Sequence, residues 1–422
     1  MKGKKVLHLD RNDYYGGECA SLSLSQLYKR FRPGMNPPAS FGKDKEYNVD
    51  LIPKFMMADE ELVRILVHTD VTRYLEFRQI AGSFVLKDKR VIRVPAGPED
   101  ISFKDILFGP FEMLRIRSFF QYVDAFDTTC SPDTLKVSSS FNPFTQNTSE
   151  LYSKFSLGAS AQEMIGHAVA LYNDDSYLGK PAIEAIERMQ LYKRSALRFG
   201  KSPYIYPSYG LSELPQGFAR LSALYGGTYM LEKPFDGLEF DPNTGRVVGV
   251  RSGSETISCS AVIGDPSYFP ERVSCVAKVV RAICLLQHPI PSTSGADSAQ
   301  IIIPRGQVGR KFDIYVACTS SAHSISPLGM HVAIVSTVVE TEYPELELRP
   351  GLELLGSICE KFVQIYPICH PLGDGQSDGI FISKSLDASS HFQGLYRDVA
   401  RLWERITGES LDAVPQRERV EE

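Results

Sequence analysis

The stretch at residues 209–231 constrains the fold most, because it carries signals for both ends of a helix and for a strand that follows. Ser212 is a residue type that caps helix N-termini, and Pro215 is tolerated in a first helical turn. We therefore expect a helix that begins at Glu213 and ends at a Gly-Gly pair. The residues at 228–231 then predict a short strand.

The predicted helix has two different faces at about 100° per residue. An apolar stripe, which we expect to contact the core, is formed by Leu214, Phe218, Leu221 and Tyr225. The opposite face carries three polar side chains, those of Glu213, Gln216 and Arg220. Most polar helix faces are simply solvated, so this pattern alone predicts no function for them.

The bulk composition is that of an ordinary globular protein. A chain of 422 residues predicts two or three domains with a large core. The hydrophobic content is 43% and the charged content 23%, and the formal net charge of −5 argues against a nucleic-acid binder. No apolar run reaches the length of a membrane span.

The cysteines and the N-terminus indicate the cellular compartment in which the protein is expected. Eight cysteines are scattered without a CxxC spacing, so we expect free thiols in a reducing environment. The N-terminus has no apolar region of the kind that a signal peptide carries. Together these features predict a cytoplasmic protein.

Residues 4–10 predict a buried strand that ends in a carboxylate, Asp10. In dinucleotide-binding βαβ units, such an acid ends the second strand and binds a ribose hydroxyl. By that spacing, the sequence lacks about 25 residues that would hold the first strand and its glycine loop. We expect this truncation to remove ladder partners from neighbouring strands, to lower stability, and to leave no site for a flavin.

The rest of the pattern predicts an α/β fold with several sheets and an inserted all-helical region. Helical signals dominate residues 101–199, with a capping box at 160–163 and a helix that begins at Pro181. Residues 82–95 alternate like a β-hairpin, and residues 256–263 predict one strand.

The sequence lacks the common signatures of catalysis. No G-x-S-x-G, H-E-x-x-H or G-x-x-x-x-G-K-[ST] motif occurs, and the eight histidines show no i, i+4 pairing that would suggest a metal site. We interpret the chain as a binding protein without a cofactor rather than an enzyme.

Several long segments resemble the Rab GDP-dissociation inhibitors and their relatives, the Rab escort proteins. The segment YGLSELPQGFARLSALYGGTYML at 209–231 is similar to the central signature of that family. Further similar segments occur along almost the whole chain, at residues 4–18, 47–66, 72–77, 200–207, 265–273 and 301–316.

The resemblance implies a fold, a partner and a set of site residues. The fold would be that of flavin-dependent oxidoreductases, with a discontinuous sheet-rich domain at 1–100 and 200–422 and a helical domain at 101–199. The sheet-rich domain would bind GDP-bound prenylated Rab GTPases, and the helical one would hold the geranylgeranyl lipid in an apolar pocket. Five residues would form the surface that contacts the Rab, here called the platform: Tyr15, Glu213, Arg220, Thr228 and Met230.

The activity implied is to slow GDP release, to extract Rabs from membranes through transient contact with the membrane surface, and to recycle them in vesicular traffic. Two alternatives remain open. A Rab escort protein, which presents an unprenylated Rab to a transferase, would use the same platform but is usually longer. An FAD-dependent oxidoreductase would explain the strand ends at Asp10 and Gly264, but the glycine loop is absent.

Overall fold

The computed structural model describes residues 3–95, 108–128, 141–200, 202–392 and 394–411. Its helices are α1 Leu24–Phe31, α2 Glu61–His68, α3 Pro110–Ala125, α4 Thr148–Lys154, α5 Ala159–Glu163, α6 Ala182–Phe199, α7 Glu213–Leu224, α8 Arg305–Val308, α9 Pro344–Glu347, α10 Arg349–Leu354 and α11 Leu395–Thr407. The first nine strands are β1 Leu7–Leu9, β2 Ser21–Leu22, β3 Val49–Asp50, β4 Met56–Met57, β5 Phe77–Gln79, β6 Gly82–Lys87, β7 Arg90–Arg93, β8 Tyr204–Pro207 and β9 Thr228–Met230. The remaining strands are β10 Gly237–Phe240, β11 Val247–Ser252, β12 Glu255–Ser258, β13 Val262–Gly264, β14 Val273–Leu286, β15 Ala299–Ile303, β16 Ile314–Ser320, β17 His331–Val338, β18 Glu360–Pro371 and β19 Ile380–Ile382.

The largest sheet has seven strands in the order β18-β14-β17-β16-β15-β6-β7. All its pairs are antiparallel except β15 with β6. The predicted hairpin at 82–95 is confirmed as β6 and β7, and its turn uses positive φ angles at Asp88 (47°) and Lys89 (63°). Two consecutive positive φ angles suit the right-handed twist of a two-residue hairpin turn.

The cysteine prediction is wrong at two positions. Cys275 on β14 and Cys369 on β18 are direct register partners with Cα atoms 4.1 Å apart, and they form a disulfide. The two residues are separated by 94 positions in the chain, so their spacing gave no sign of the pairing. Strand pairing, rather than a cysteine motif, brings them together.

Two short parallel sheets hold the segments that resemble a dinucleotide-binding unit. One pairs β1 with β9, and the other pairs β13 with β19. The strand expected at 4–10 is shorter and more exposed than predicted, because β1 pairs with β9 alone among the described strands. Asp10, which follows it, is buried as expected. The single strand expected at 256–263 is instead two strands, β12 and β13, which belong to different sheets.

Between Phe108 and Gly200 the described residues contain helices and no strand that pairs in a sheet. The helix expected after Pro181 is confirmed as α6, which ends at Gly200 in the left-handed conformation. The capping box expected at 160–163 is wrong, because α5 already begins at Ala159 and the Glu163 carboxylate instead accepts a hydrogen bond from Gln307 Nε2 at 2.6 Å.

The helices pack directly on the large sheet. Phe119 and Ile186 belong to the same buried hydrophobic cluster as Ile283 and Tyr315 of the sheet. A buried histidine adds polar contacts, because His167 lies 2.7 Å from Asp313 and 3.0 Å from Asp175 through its two ring nitrogens. The division of the chain into two domains stays a prediction.

Within the described ranges, no helix has the length and apolar character needed to cross a bilayer. The same residues contain no cluster of three or more side chains that would suit a metal ion.

Candidate partner-binding surface

The five platform residues lie on three neighbouring elements. Thr228 and Met230 are the first and last residues of β9, which pairs with β1 so that Leu7 faces Thr228 and Leu9 faces Met230. Tyr15 lies in the loop that follows β1, and this loop lies against the first turn of α7, since a Cβ on Gly16 would be 3.3 Å from Pro215.

An aromatic cluster connects Tyr15 to β9. The rings of Tyr15 and Tyr229 meet edge to face with centroids 5.7 Å apart, and His8 of β1 lies 5.3 Å from Tyr15 and 4.9 Å from Tyr229. Burial lowers the pKa of His8, against the opposing charge of Asp10, so the imidazole is neutral near pH 7. These ring contacts hold Tyr15 in place, and Thr228 is exposed beside the cluster.

The helix of the platform, α7, has the boundaries expected from the sequence, Glu213 to Leu224. Its apolar stripe is confirmed in the first three positions: Leu214, Phe218 and Leu221 pack on a core that contains Met56, Ala58, Leu66, Val71 and Ile205. The fourth position is wrong, because Tyr225 lies beyond the end of the helix and is 56% exposed. Gly217 permits the close approach, since a Cβ there would be 3.2 Å from Leu75 and from Val71.

The polar face of α7 points outward as expected. Gln216 and Arg220 are exposed, and Glu213 is half-buried, which raises the pKa of its carboxyl group. The Arg220 guanidinium carbon lies 4.6 Å from the ring centroid of Tyr74, in the turn Val71–Tyr74. This cation–π contact holds the long arginine side chain in place on the surface.

The start of α7 is not capped by the side chain of Ser212, as the sequence predicted, but is held by hydrogen bonds from its backbone to distant residues. Ser212 makes no side-chain capping bond. Instead, the Leu211 N–H donates to Asp50 Oδ1 at 2.8 Å and the Ser212 N–H donates to Ser21 Oγ at 3.1 Å. Gly210, at φ 93°, allows this contact, because a Cβ there would be 2.5 Å from Ser21 Oγ.

Asp50 is the buried centre of this arrangement. Its carboxylate also accepts hydrogen bonds from the hydroxyls of Ser21 and Tyr206. Burial raises the pKa of Asp50 to about 6, although these donors and the Leu211 N–H act in the opposite direction. No local pattern could reveal this residue, because its partner Leu211 lies 161 positions away.

The contribution of Asp50 to the stability of the protein should therefore decrease as pH rises from about 4 to about 6. The pKa of Asp50 is higher in the folded state than its ordinary value of 3.8, so the folded state binds this proton more tightly. This contribution is complete below about pH 4 and is lost above about pH 6, and it amounts to on the order of 3 kcal/mol. Urea unfolding across this range should show the loss in the wild type and not in Asp50→Asn. Parallel pH profiles for the two proteins would contradict the assignment.

The structure thus places Tyr15, Thr228 and Met230 on or beside one pair of strands, with Glu213 at the adjoining helix start. Arg220 lies about two turns further along the same helix. Sequence reasoning missed the side chains that position them, namely His8, Tyr74, Asp50 and Tyr229. All four lie within segments that carry the family resemblance, but no pattern marked them individually.

Comparison of the fold with solved structures agrees with the predicted class. An oxidoreductase from Methanosarcina mazei superposes with a TM-score of 0.53 at 14% identity, covering 90% of this chain and 88% of that one. At this identity the likeness concerns the fold alone. The fold is therefore the α/β, flavin-oxidoreductase-like architecture expected from the sequence.

Closer similarity is found to GDP dissociation inhibitors. A Rab GDI from Plasmodium falciparum superposes with a TM-score of 0.91 at 40% identity and covers 97% of this chain and 94% of its own. The probable secretory pathway GDP dissociation inhibitor 1 of Schizosaccharomyces pombe is 51% identical over 422 residues, which is 100% of this chain and 94% of that protein. The model of the family described as GDP dissociation inhibitor matches residues 1–418. With similarity this extensive, the chain belongs to the GDP dissociation inhibitor family.

Proposed function

We propose that this protein binds GDP-bound Rab GTPases through the platform and slows the release of their GDP. The single observation that supports this most is the match to the GDP dissociation inhibitor family along residues 1–418. The protein would act as a regulator and not as an enzyme, as its membership of the GDP dissociation inhibitor family implies. The escort-protein and oxidoreductase alternatives gain no support from the relatives, which carry the inhibitor name.

The chemistry of the platform suits this role. Tyr and Arg are the residue types that most often anchor protein interfaces, because they bury a large area and still offer polar groups. Arg220 is exposed but held over Tyr74, and Tyr15 is held by His8 and Tyr229. Side chains that are already ordered lose little entropy on binding, so they favour affinity.

We also propose a second site for the geranylgeranyl lipid of the Rab, in a helical domain at residues 101–199. Apolar side chains remain exposed on α3 within this region, namely Phe111 (79%) and Leu114 (50%). Covering hydrocarbon from water stabilises by about 0.8 kcal/mol per CH₂ group. Two linked sites would raise affinity through effective concentration, and would allow the protein to extract Rabs from membranes during brief contact with the surface.

The proposed activity takes place in the cytoplasm and serves the recycling of Rabs in vesicular traffic. Its test is release of a prenylated Rab from liposomes. The purified protein should move prenylated Rab–GDP from floated vesicles into the aqueous fraction, and it should slow the exchange of a fluorescent GDP analogue.

The controls for this experiment separate the two sites. The same Rab loaded with a non-hydrolysable GTP analogue should stay on the vesicles, because the switch regions that the platform contacts adopt another conformation. An unprenylated Rab–GDP should bind more weakly, since only the platform contributes. Equal extraction of the GTP and GDP forms, or no extraction at all, would reject the function.

A further inference from the structure

The seven-stranded sheet has a two-stranded extension at one corner. β14 pairs with β17 only from Val279 onward. The preceding residues of β14, 273–277, pair with residues 368–371 of β18 alone among the described strands. We call these two segments the ribbon. A two-stranded antiparallel pair is only marginally stable by itself, so the ribbon needs further contacts to stay closed.

Both strands of the ribbon continue into the small sheet that β13 and β19 form. Residues 265–272 connect β13 to the ribbon, and residues 372–379 connect the ribbon to β19. These two connections are fixed to each other, since the Leu372 N–H donates to the Arg272 carbonyl at 2.9 Å and the Arg272 guanidinium pairs with Asp378. The ribbon therefore carries both strands of the small sheet, and its stiffness limits how far that sheet moves against the large one.

Cys275 and Cys369 face each other in the ribbon where the backbone ladder is weakest. Both backbone groups of Cys369 bond to Ser385 instead of β14: the N–H donates to Ser385 Oγ at 3.0 Å, and the carbonyl accepts from the Ser385 N–H at 3.1 Å. The register then shifts after Cys275, so that Val276 is bulged. The disulfide is thus the direct link between the two strands at this point.

The two cysteines differ in their access to solvent. Cys275 is exposed, whereas Cys369 is only 4% exposed. Exposed disulfides are the ones that thiols reduce readily, while buried structural ones resist reduction. An accessible cysteine with a second cysteine beside it is also the usual arrangement of a thiol that senses oxidants. Because strand register brings the two residues together, they remain neighbours when the bond is open.

We propose that Cys275 and Cys369 are a reversible thiol–disulfide switch that sets the stiffness of the ribbon. In the oxidised chain the bond joins the strands at the weak point of their ladder, and the small sheet is held firmly on the large one. In the reduced chain the ribbon opens more often, and the small sheet moves more freely. The pair lies outside the platform, so the proposal does not depend on Rab binding.

Closure of the switch consumes a small-molecule disulfide such as oxidised glutathione. The Cys275 thiolate attacks one sulfur of that disulfide, forms a mixed disulfide and expels one glutathione thiolate. The Cys369 thiolate then attacks Cys275 Sγ and expels the second glutathione. The two protein thiols lose two electrons and two protons, and the glutathione disulfide gains them to become two thiols. Reduced glutathione reverses the sequence by attacking the exposed Cys275 Sγ.

The first test measures the redox state of the pair. The purified full chain is equilibrated without oxygen in glutathione buffers that range from fully reduced to fully oxidised. Free thiols are then alkylated and located by peptide mass spectrometry. We expect Cys275 and Cys369 to lose their free thiols together as the oxidised fraction rises, and to regain them when reduced glutathione is restored. Cys359, an exposed free cysteine, is the control and should form only a mixed disulfide with glutathione.

The second test measures the stiffness of the ribbon by hydrogen exchange. The amides of the ribbon should exchange at least about tenfold more slowly in the oxidised chain than in the reduced one, because the bond suppresses local opening. The amides of β16, in the same large sheet, should exchange equally in both states. Cys275→Ser changes an exposed side chain, and in either buffer its ribbon should exchange like that of the reduced wild type.

The proposal fails if the pair keeps its bond in excess reduced glutathione, because the disulfide would then be a permanent structural one. It also fails if both thiols stay free in oxidised glutathione, or if Cys275 stops at the mixed disulfide, since Cys369 would then be unable to displace the glutathione. Equal exchange of the ribbon in the oxidised and reduced chains would show that the bond does not control its stiffness.

Discussion

Arg220→Ala and Tyr15→Ala should each weaken the binding of Rab–GDP by about 2 kcal/mol, which is roughly 30-fold. Both side chains are anchors of the type that dominates interface energies, and both are held in place before binding. Arg220 stacks on Tyr74, and Tyr15 packs edge to face on Tyr229. Isothermal titration calorimetry with a purified Rab–GDP would measure the loss.

Matched controls exist on another part of the chain. Arg349 and Tyr343 are exposed residues of the same types; Tyr343 precedes α9, and Arg349 is the first residue of α10. Arg349→Ala and Tyr343→Ala should leave affinity unchanged, and all four variants should melt close to the wild type. If the platform variants keep full affinity, or lose it only in proportion to stability, the polar face of α7 is merely solvated surface.

Asp387→Ala should have the largest effect on stability, a loss of about 3 kcal/mol. Its carboxylate pairs with Lys54, whose side chain is 2% exposed, and its carbonyl accepts from the fully buried Arg281 at 3.3 Å. Burial would raise the pKa of Asp387, but Lys54 and the Ser389 hydroxyl outweigh it and lower the pKa to about 2. Without the carboxylate, the Lys54 ammonium is buried beside Arg281, and it keeps hydrogen bonds to Ser389 and to the backbone carbonyl of residue 387 but loses its counter-charge.

This expected loss of stability is at the low end of the range for removing one partner of a buried ion pair, because the Asp387 side chain is itself one-third exposed. Urea unfolding would measure it. The double variant Lys54→Met with Asp387→Ala should recover part of the loss, since it also removes the buried charge. A double variant as unstable as the sum of the two single changes would show that the two groups do not interact.

Elements whose signals are local could be predicted from the sequence. The boundaries of α7 follow from its apolar stripe and its glycine pair, and α6 follows from Pro181 and Gly200. Two of the failures involve residues that are distant in sequence. The Asp50 contact to the start of α7 and the pairing of Cys275 with Cys369 depend on how separate strands meet.

The platform itself was predicted from the family resemblance and not from periodicity. The pattern of α7 separates its two faces correctly, but a polar face that binds a partner has the same periodicity as one that contacts water. The residue types do not identify a partner-binding face either, because arginine and glutamate are common on any protein surface. What distinguishes Arg220 in the structure is its position over Tyr74, which comes from a separate turn.

The contacts that hold the start of α7 also bear on the order of folding. They join Leu211 to Asp50 and Ser212 to Ser21, across 161 and 191 positions. Closing loops of this length costs entropy that grows with the logarithm of the loop length, and such contacts slow folding. The helix that carries Glu213 and Arg220 is thus seated only when distant parts of the chain have come together. We therefore expect only the fully folded chain to bind the partner. A nascent or half-folded chain would have no affinity for it.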